Sequence, residues 1–130
     1  MSLSFIWYSN DVKTEKEILD FAVGLGGQIQ EHSESISECT ITKKDEVIWI
    51  MYDKCFLSEL EDEDYSELKK HGICPKSAAI IQIGLNGIRE RSISLTKWFC
   101  EKLLLHYPES VIMAFDKYYS VNTVGDIPYS

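Results

Sequence analysis

Val47-Ile48-Trp49-Ile50-Met51-Tyr52 is an unbroken apolar run, and it passes at Asp53 into the most acidic stretch of the chain. An extended segment that is apolar on both faces suits a strand in the middle of a sheet better than one at its edge. The segment that follows, residues 53–77, carries Glu59, Glu61, Asp62, Glu63, Asp64 and Glu67, six carboxylates within nine residues. Leu57, Leu60, Tyr65 and Leu68 fall near helical spacing among them, so this acidic insertion reads as a loop or a short helix docked over the domain. Gly72 and Pro75 punctuate its end. Ala78 to Leu85 resumes the apolar pattern as the next buried strand, and Asn86-Gly87 marks a tight turn.

Toward the N-terminus, Ser4 to Ser9 reads as a first strand with the aromatic-rich run Phe5-Ile6-Trp7-Tyr8, closed by a turn at Asn10-Asp11. Thr14 and Glu17 form a capping-box pattern, in which hydroxyl and carboxylate satisfy free backbone amides at a helix start. Ile18, Phe21, Ala22 and Leu25 follow at helical spacing, and Gly26-Gly27 ends that helix in a left-handed turn. The polar stretch Gln28 to Thr42 reads as one or two exposed strands with Ile29, Ile36 and Ile41 facing inward, and Lys43 to Glu46 turns into the central strand.

Toward the C-terminus, a second helix starts near Ser92 or Ser94. It carries Leu95, Trp98, Phe99 and Leu103 on its apolar side, with Lys97 and Glu101 opposite, and stops before Pro108. Val111 to Phe115 is a last buried strand, which Asp116-Lys117 turns back into Tyr118 to Val121 as a hairpin, and Gly125 to Ser130 forms an exposed end. Trp7, Trp49 and Trp98 all lie in apolar runs and are expected in the core. The order predicts an α+β fold: a single mixed, largely antiparallel sheet with two main helices on one face, of split βαβ type, plus the acidic insertion. Helices on both faces are the other arrangement this pattern allows.

The 130 residues fit one domain, long enough for a core without disulfides or metals. Hydrophobic residues make up 45% and charged residues 26%, which is ordinary globular usage. Thirteen basic against twenty-one acidic residues give a formal charge of −8. That balance disfavours nucleic-acid binding, which needs a basic footprint, and favours attraction to a basic partner or cation. No stretch is apolar for eighteen residues, so no helix is expected to span a membrane. Met1-Ser2-Leu3-Ser4-Phe5 lacks the basic and apolar regions of an export signal, which predicts a cytoplasmic protein with Cys39, Cys55, Cys74 and Cys100 reduced.

No constellation in the chain assembles a catalytic centre. Of its three histidines, His71 stands nearest a cysteine, Cys74, but nearness in sequence does not supply triad geometry, and no Gly-x-Ser-x-Gly elbow is present. The plainer reading is a loop histidine and a small apolar thiol. His106 falls at a helix C-terminus, where a cation complements the dipole. Cys-x-x-Cys and His-x-x-x-His spacings are lacking, and Glu61-Asp62-Glu63-Asp64 lacks the alternating ligands and glycine of an EF-hand loop. No metal or other cofactor is expected. Gly84 and Gly87 precede a helix beside the chain's two arginines, Arg89 and Arg91, which could grip an anion there. Pairing with surface carboxylates is the plainer reading of the two arginines.

The acidic run has two readings: a solvated loop that keeps the protein soluble, or a landing surface for a basic protein. In the second, Glu59, Glu61, Asp62, Glu63 and Asp64 steer the partner, and Phe56, Leu60 and Tyr65 supply the apolar anchors. The late cadence Leu95…Trp98…Leu103…Tyr107-Pro108-Glu109-Ser110-Val111…Asp116…Tyr118-Tyr119 resembles that of small immunity proteins of bacterial toxin systems, including contact-dependent inhibition. The resemblance spans about the last third of the chain. It implies a non-catalytic protein that covers the active site of one cognate toxin, and where that toxin is a nuclease the acids stand in for substrate phosphates. The competing expectation is a regulatory domain that binds an anionic metabolite through Arg89 and Arg91. An enzyme using His71 and Cys74 is the third. Oligomeric state is not encoded in any pattern of the chain.

Overall fold

The computed structural model describes residues 3–11, 15–32, 36–43, 46–53, 55–83 and 93–128. Seven strands form one sheet: β1 (Leu3–Ser9), β2 (Gln28–His32), β3 (Ile36–Lys43), β4 (Glu46–Asp53), β5 (Ser77–Ile83), β6 (Ser110–Ala114) and β7 (Lys117–Tyr119). Three α-helices accompany them: α1 (Glu15–Gly24), α2 (Asp62–Lys70) and α3 (Ile93–His106). The strand order is β2-β3-β4-β5-β1-β6-β7, and every pairing is antiparallel. Because β5 and β6 both run antiparallel to β1 between them, they run parallel to each other, joined through α3. That is the split βαβ unit the element order predicted. The α+β class and the largely antiparallel sheet stand as read.

Alternation along β1 assigns the two faces. Phe5 and Trp7 of β1 pair with Ile81 and Ala79 of β5, and Trp7 pairs with Ile112 of β6. With Cys39, Ile41, Ile48 and Ile50 they form the floor of the main core. Over that floor α1 lays Ile18, Leu19 and Ala22, and α3 lays Leu95, Phe99, Cys100, Leu103 and Leu104. The other face carries Tyr8, Ala78 and Val111, and here Leu68 of α2 and Ile73 seal a second, smaller core. The acidic insertion is therefore helical, and its helix docks on the face opposite the two main helices.

Both α1 and α2 close with the same backbone device. In α1 the Gly26 amide donates to Val23 O and the Gly27 amide to Ala22 O, with Gly26 at φ +102°. In α2 the Gly72 amide donates to Lys69 O and the Ile73 amide to Leu68 O, with Gly72 at φ +77°. Burial of Ile73 and Leu68 in one cluster supplies the hydrophobic contact that accompanies such a cap. The Thr14 capping pattern lies outside the described residues.

Several expectations shift. Gln28 to Thr42 contains two strands; Ile41 is buried, whereas Ile29 is 51% exposed near the sheet edge, and the inward residue opposite it is Cys39. Trp7 is fully buried, but Trp49 and Trp98 are only half-buried. Trp49 lies on the α2 side of β4, away from the main core, and Trp98 sits at a rim where Lys43 Nζ lies 3.5 Å from the centre of its ring. The final hairpin turns at Phe115-Asp116, one residue earlier than read, since Ala114 already pairs with Lys117.

Candidate functional site: the acidic groove beside α2

The acidic run is partly consumed by its own helix. Glu61 is the N-cap of α2, and its side chain accepts from the Asp64 amide while Asp64 Oδ2 accepts from the Glu61 amide at 3.0 Å. This reciprocal cap satisfies two amides that a helix start leaves free. Asp62, Glu63 and Asp64 occupy the first turn and Lys69 and Lys70 the last, the arrangement that complements the helix dipole at both ends. Glu59, Glu61, Asp62 and Glu63 are exposed, and Asp64 is half-buried.

The expected apolar anchors face two ways. Phe56 and Leu60 are half-buried and pack inward on the second core, Phe56 with its ring 6.1 Å from that of Tyr8. Much of their apolar surface is spent inside the domain. Tyr65 is 38% exposed, and its hydroxyl donates to Leu57 O at 2.6 Å, bracing the short 3₁₀ turn Leu57–Glu59 against α2.

Between α2 and the β6–β7 hairpin lies a groove of about 490 Å³, lined by Asp64, Glu67, His71, Met113, Asp116, Lys117 and Tyr118. Asp64, Glu67 and His71 recur at helical spacing along one side of α2 and its cap, and β7 turns Tyr118 toward the same space. The His71 ring lies beside that of Tyr118, centroids 5.0 Å apart and planes tilted by 38°. Glu67 also holds Lys70 at 2.9 Å on the exposed side of the helix. Burial, and then the negative charges of Asp64 and Glu67, push the Tyr118 phenol above its ordinary value. Tyr8, 3% exposed behind this wall, is pushed up further by burial, by Tyr118, by Asp64 and by Tyr65. Three carboxylates against one lysine make this a cation-receiving space with an aromatic side.

The charge run marks the Glu59–Asp64 end of this region, whereas nothing in the local sequence marks Asp116, Lys117 or Tyr118 as its neighbours. The signal for them is absent from local pattern, because they arrive through the pairing of β6 with β7 more than fifty residues later. Arg89, Arg91, Gly84 and Gly87 lie outside the described residues. His71 and Cys74 line different depressions. His71 belongs to the acidic groove, whereas Cys74 lines a smaller one of about 280 Å³ with Tyr65, Lys69, Ile73, Pro75 and Lys76. The Cys74 amide is held by Asn10 Oδ1 at 2.7 Å, and Asn10 Nδ2 donates to Gly72 O at 3.1 Å, which pins this loop to the end of β1. Cys55 and Cys74 are exposed free thiols, and Cys39 and Cys100 are buried ones. Among the described residues no three His, Cys, Asp or Glu side chains gather as metal ligands, and no helix is long and apolar enough to cross a membrane. In comparisons with known proteins the chain matches no family model, no curated protein and no solved structure.

Proposed function

We propose that this protein is a non-catalytic binding domain that neutralises a basic protein partner by covering its active site, as an immunity protein of a bacterial toxin system does. The observation that carries the reading is the exposed charge, outside any ion pair, around the start of α2. Glu59, Glu61, Asp62 and Glu63 are exposed, and among the described residues none of them is in an ion pair. Charge of one sign presented together raises association rates by roughly tenfold to a thousandfold, and the effect fades with salt. A toxin active site that handles nucleic acid is basic and complements such a surface. In this reading the protein works in the bacterial cytoplasm, where it meets the toxin.

Capture of proteins from the native host lysate on the immobilised domain, with elution along a salt gradient, tests this. The expected result is one stoichiometric basic protein released by salt. The variant Glu59→Gln, Glu61→Gln, Asp62→Asn, Glu63→Gln should bind it about tenfold more slowly and with a flatter salt dependence. Unchanged association and salt dependence in that variant would remove the acidic landing surface from the reading.

A further inference from the structure

We infer that the depression between α2 and the loop before β5 is a binding site for a small aromatic monocarboxylate. Its walls are Tyr65 and Lys69 of α2 and Ile73, Cys74, Pro75 and Lys76 of the loop, around a space of about 280 Å³. That is the small end of the range for ligand pockets, and it suits one ring with a short acid arm. The site goes beyond the partner-binding reading and uses other residues of α2, since Asp64, Glu67 and His71 line the acidic groove.

Charge selects an anion. The chain carries 21 acidic residues against 13 basic ones, and both the acidic groove and the depression beside His106 are lined by carboxylates. Here the charged lining residues are Lys69 and Lys76, with no carboxylate among the described residues that line the space. Both lysines are exposed, and among the described residues neither is in an ion pair, whereas Lys70 is held by Glu67 at 2.9 Å. Exposed charges farther off than about 8 Å are largely screened at physiological ionic strength, so the two ammonium groups set the sign that an entering ligand meets. The remaining walls select the body of the ligand. Tyr65 offers an aromatic ring, Ile73 and Pro75 offer aliphatic surface, and Cys74 behaves as a small apolar group, so a ring covers them while its carboxylate meets the lysines. These walls are fixed in advance. The Tyr65 hydroxyl donates to Leu57 O at 2.6 Å, the Cys74 amide to Asn10 Oδ1 at 2.7 Å and the Lys76 amide to Ser9 O at 2.8 Å. A ligand entering a site already held in shape loses less of its binding energy to ordering the protein.

The test is an NMR titration of the intact protein with phenylacetate and with indoleacetate, using phenylacetamide as the uncharged isostere and acetate as the acid without a ring. Saturable shifts centred on Tyr65, Lys69, Ile73, Cys74 and Lys76 are expected with at least one aromatic acid, and weaker binding with both controls. The pair Lys69→Gln, Lys76→Gln should weaken binding about fivefold, the scale of losing exposed charge contacts. Tyr65→Ala should weaken it about fivefold as well, the scale of one lost aromatic contact. A dispersed spectrum reports that each variant is folded. Cys74 supplies a second readout, because it and Cys55 are both exposed free thiols. Alkylation of Cys74 by iodoacetamide should slow as the site fills, while that of Cys55 does not. Absence of saturable shifts with both aromatic acids, equal affinity for phenylacetamide or acetate, affinity unchanged in either variant, or an unchanged ratio of the two alkylation rates would each overturn the site.

Discussion

The Glu46 carboxylate accepts a hydrogen bond from the Leu95 amide at 3.1 Å, so the first residue of β4 caps the first turn of α3 from across the domain. Amides at a helix start have no partner within the helix, and a carboxylate there also meets the positive end of the dipole. Glu46→Ala should therefore lower stability by about 1 kcal/mol, with Glu46→Gln falling between it and wild type. Urea unfolding checks this. Equal midpoints for all three proteins would show that the capping bond contributes nothing.

Gly27 is required for a different reason. It has no unusual φ, but a Cβ built there would meet Cys39 Sγ at 2.6 Å and the backbone oxygen of Ala22 at 2.8 Å. The close approach lets the end of α1 settle onto β3. Gly27→Ala should cost about 1–3 kcal/mol, as overpacking of a filled core does. In a Cys39→Ala background the same change should cost less, because one of the two clashes is gone. A double-mutant cycle of thermal or urea unfolding measures that coupling.

The β6–β7 turn stores local strain. Phe115 and Asp116 have φ of 52° and 64°, the left-handed pair of a two-residue hairpin turn that Asn-Gly or Asp-Gly ordinarily supplies. Phe115 is held there by packing, its ring edge-on to Phe5 at 5.9 Å. Asp116 is exposed and has no such packing to hold it, so Asp116→Gly should stabilise the fold by about 0.5–1 kcal/mol. Phe115→Gly removes the same kind of strain but loses the core contact, and should destabilise. A rise in melting temperature for the first and a fall for the second is the expected pair of results.

Stability should decline in alkali. Burial raises the proton affinity of Tyr8, Tyr107, Tyr118, Cys39 and Cys100 above ordinary values of 10.0 for tyrosine and 9.0 for cysteine. Raised values in the fold mean that the folded protein keeps protons the unfolded chain has already lost. The contribution is complete below the unfolded values and is lost as pH climbs through the folded ones. Unfolding midpoints should stay flat up to about pH 8.5 and fall by about pH 10.5. Replacing Cys100 with Ala should make that fall shallower, and an unchanged slope would remove Cys100 from the account.

Much of the fold was legible locally. The strands β1, β4 and β5 announced themselves by dense apolar runs, and α1 and α3 by their helical spacing. The double period of α3 was only half seen: Cys100 and Leu104 form a second buried stripe beside Leu95, Phe99 and Leu103. Trp98 packs on the main core only at its rim and Trp49 lies away from it, because apolar character says that a side chain prefers burial, not that a layer exists to cover it. The acidic run was legible as charge, but the capping role of Glu61 and Asp64 was not, since neither residue is the serine or threonine that usually opens such a box.

Local pattern sets the segments, the split βαβ order and the negative surface, because periodicity and charge are properties of neighbouring residues. Which sheet face α2 covers, the reach of Glu46 to Leu95 and the shared groove of Asp64 and Asp116 follow from how the elements pack. Those relationships depend on strand register and on which layer docks where. Register carries residues far apart in the chain to within a few ångströms of each other, and no local pattern records that distance.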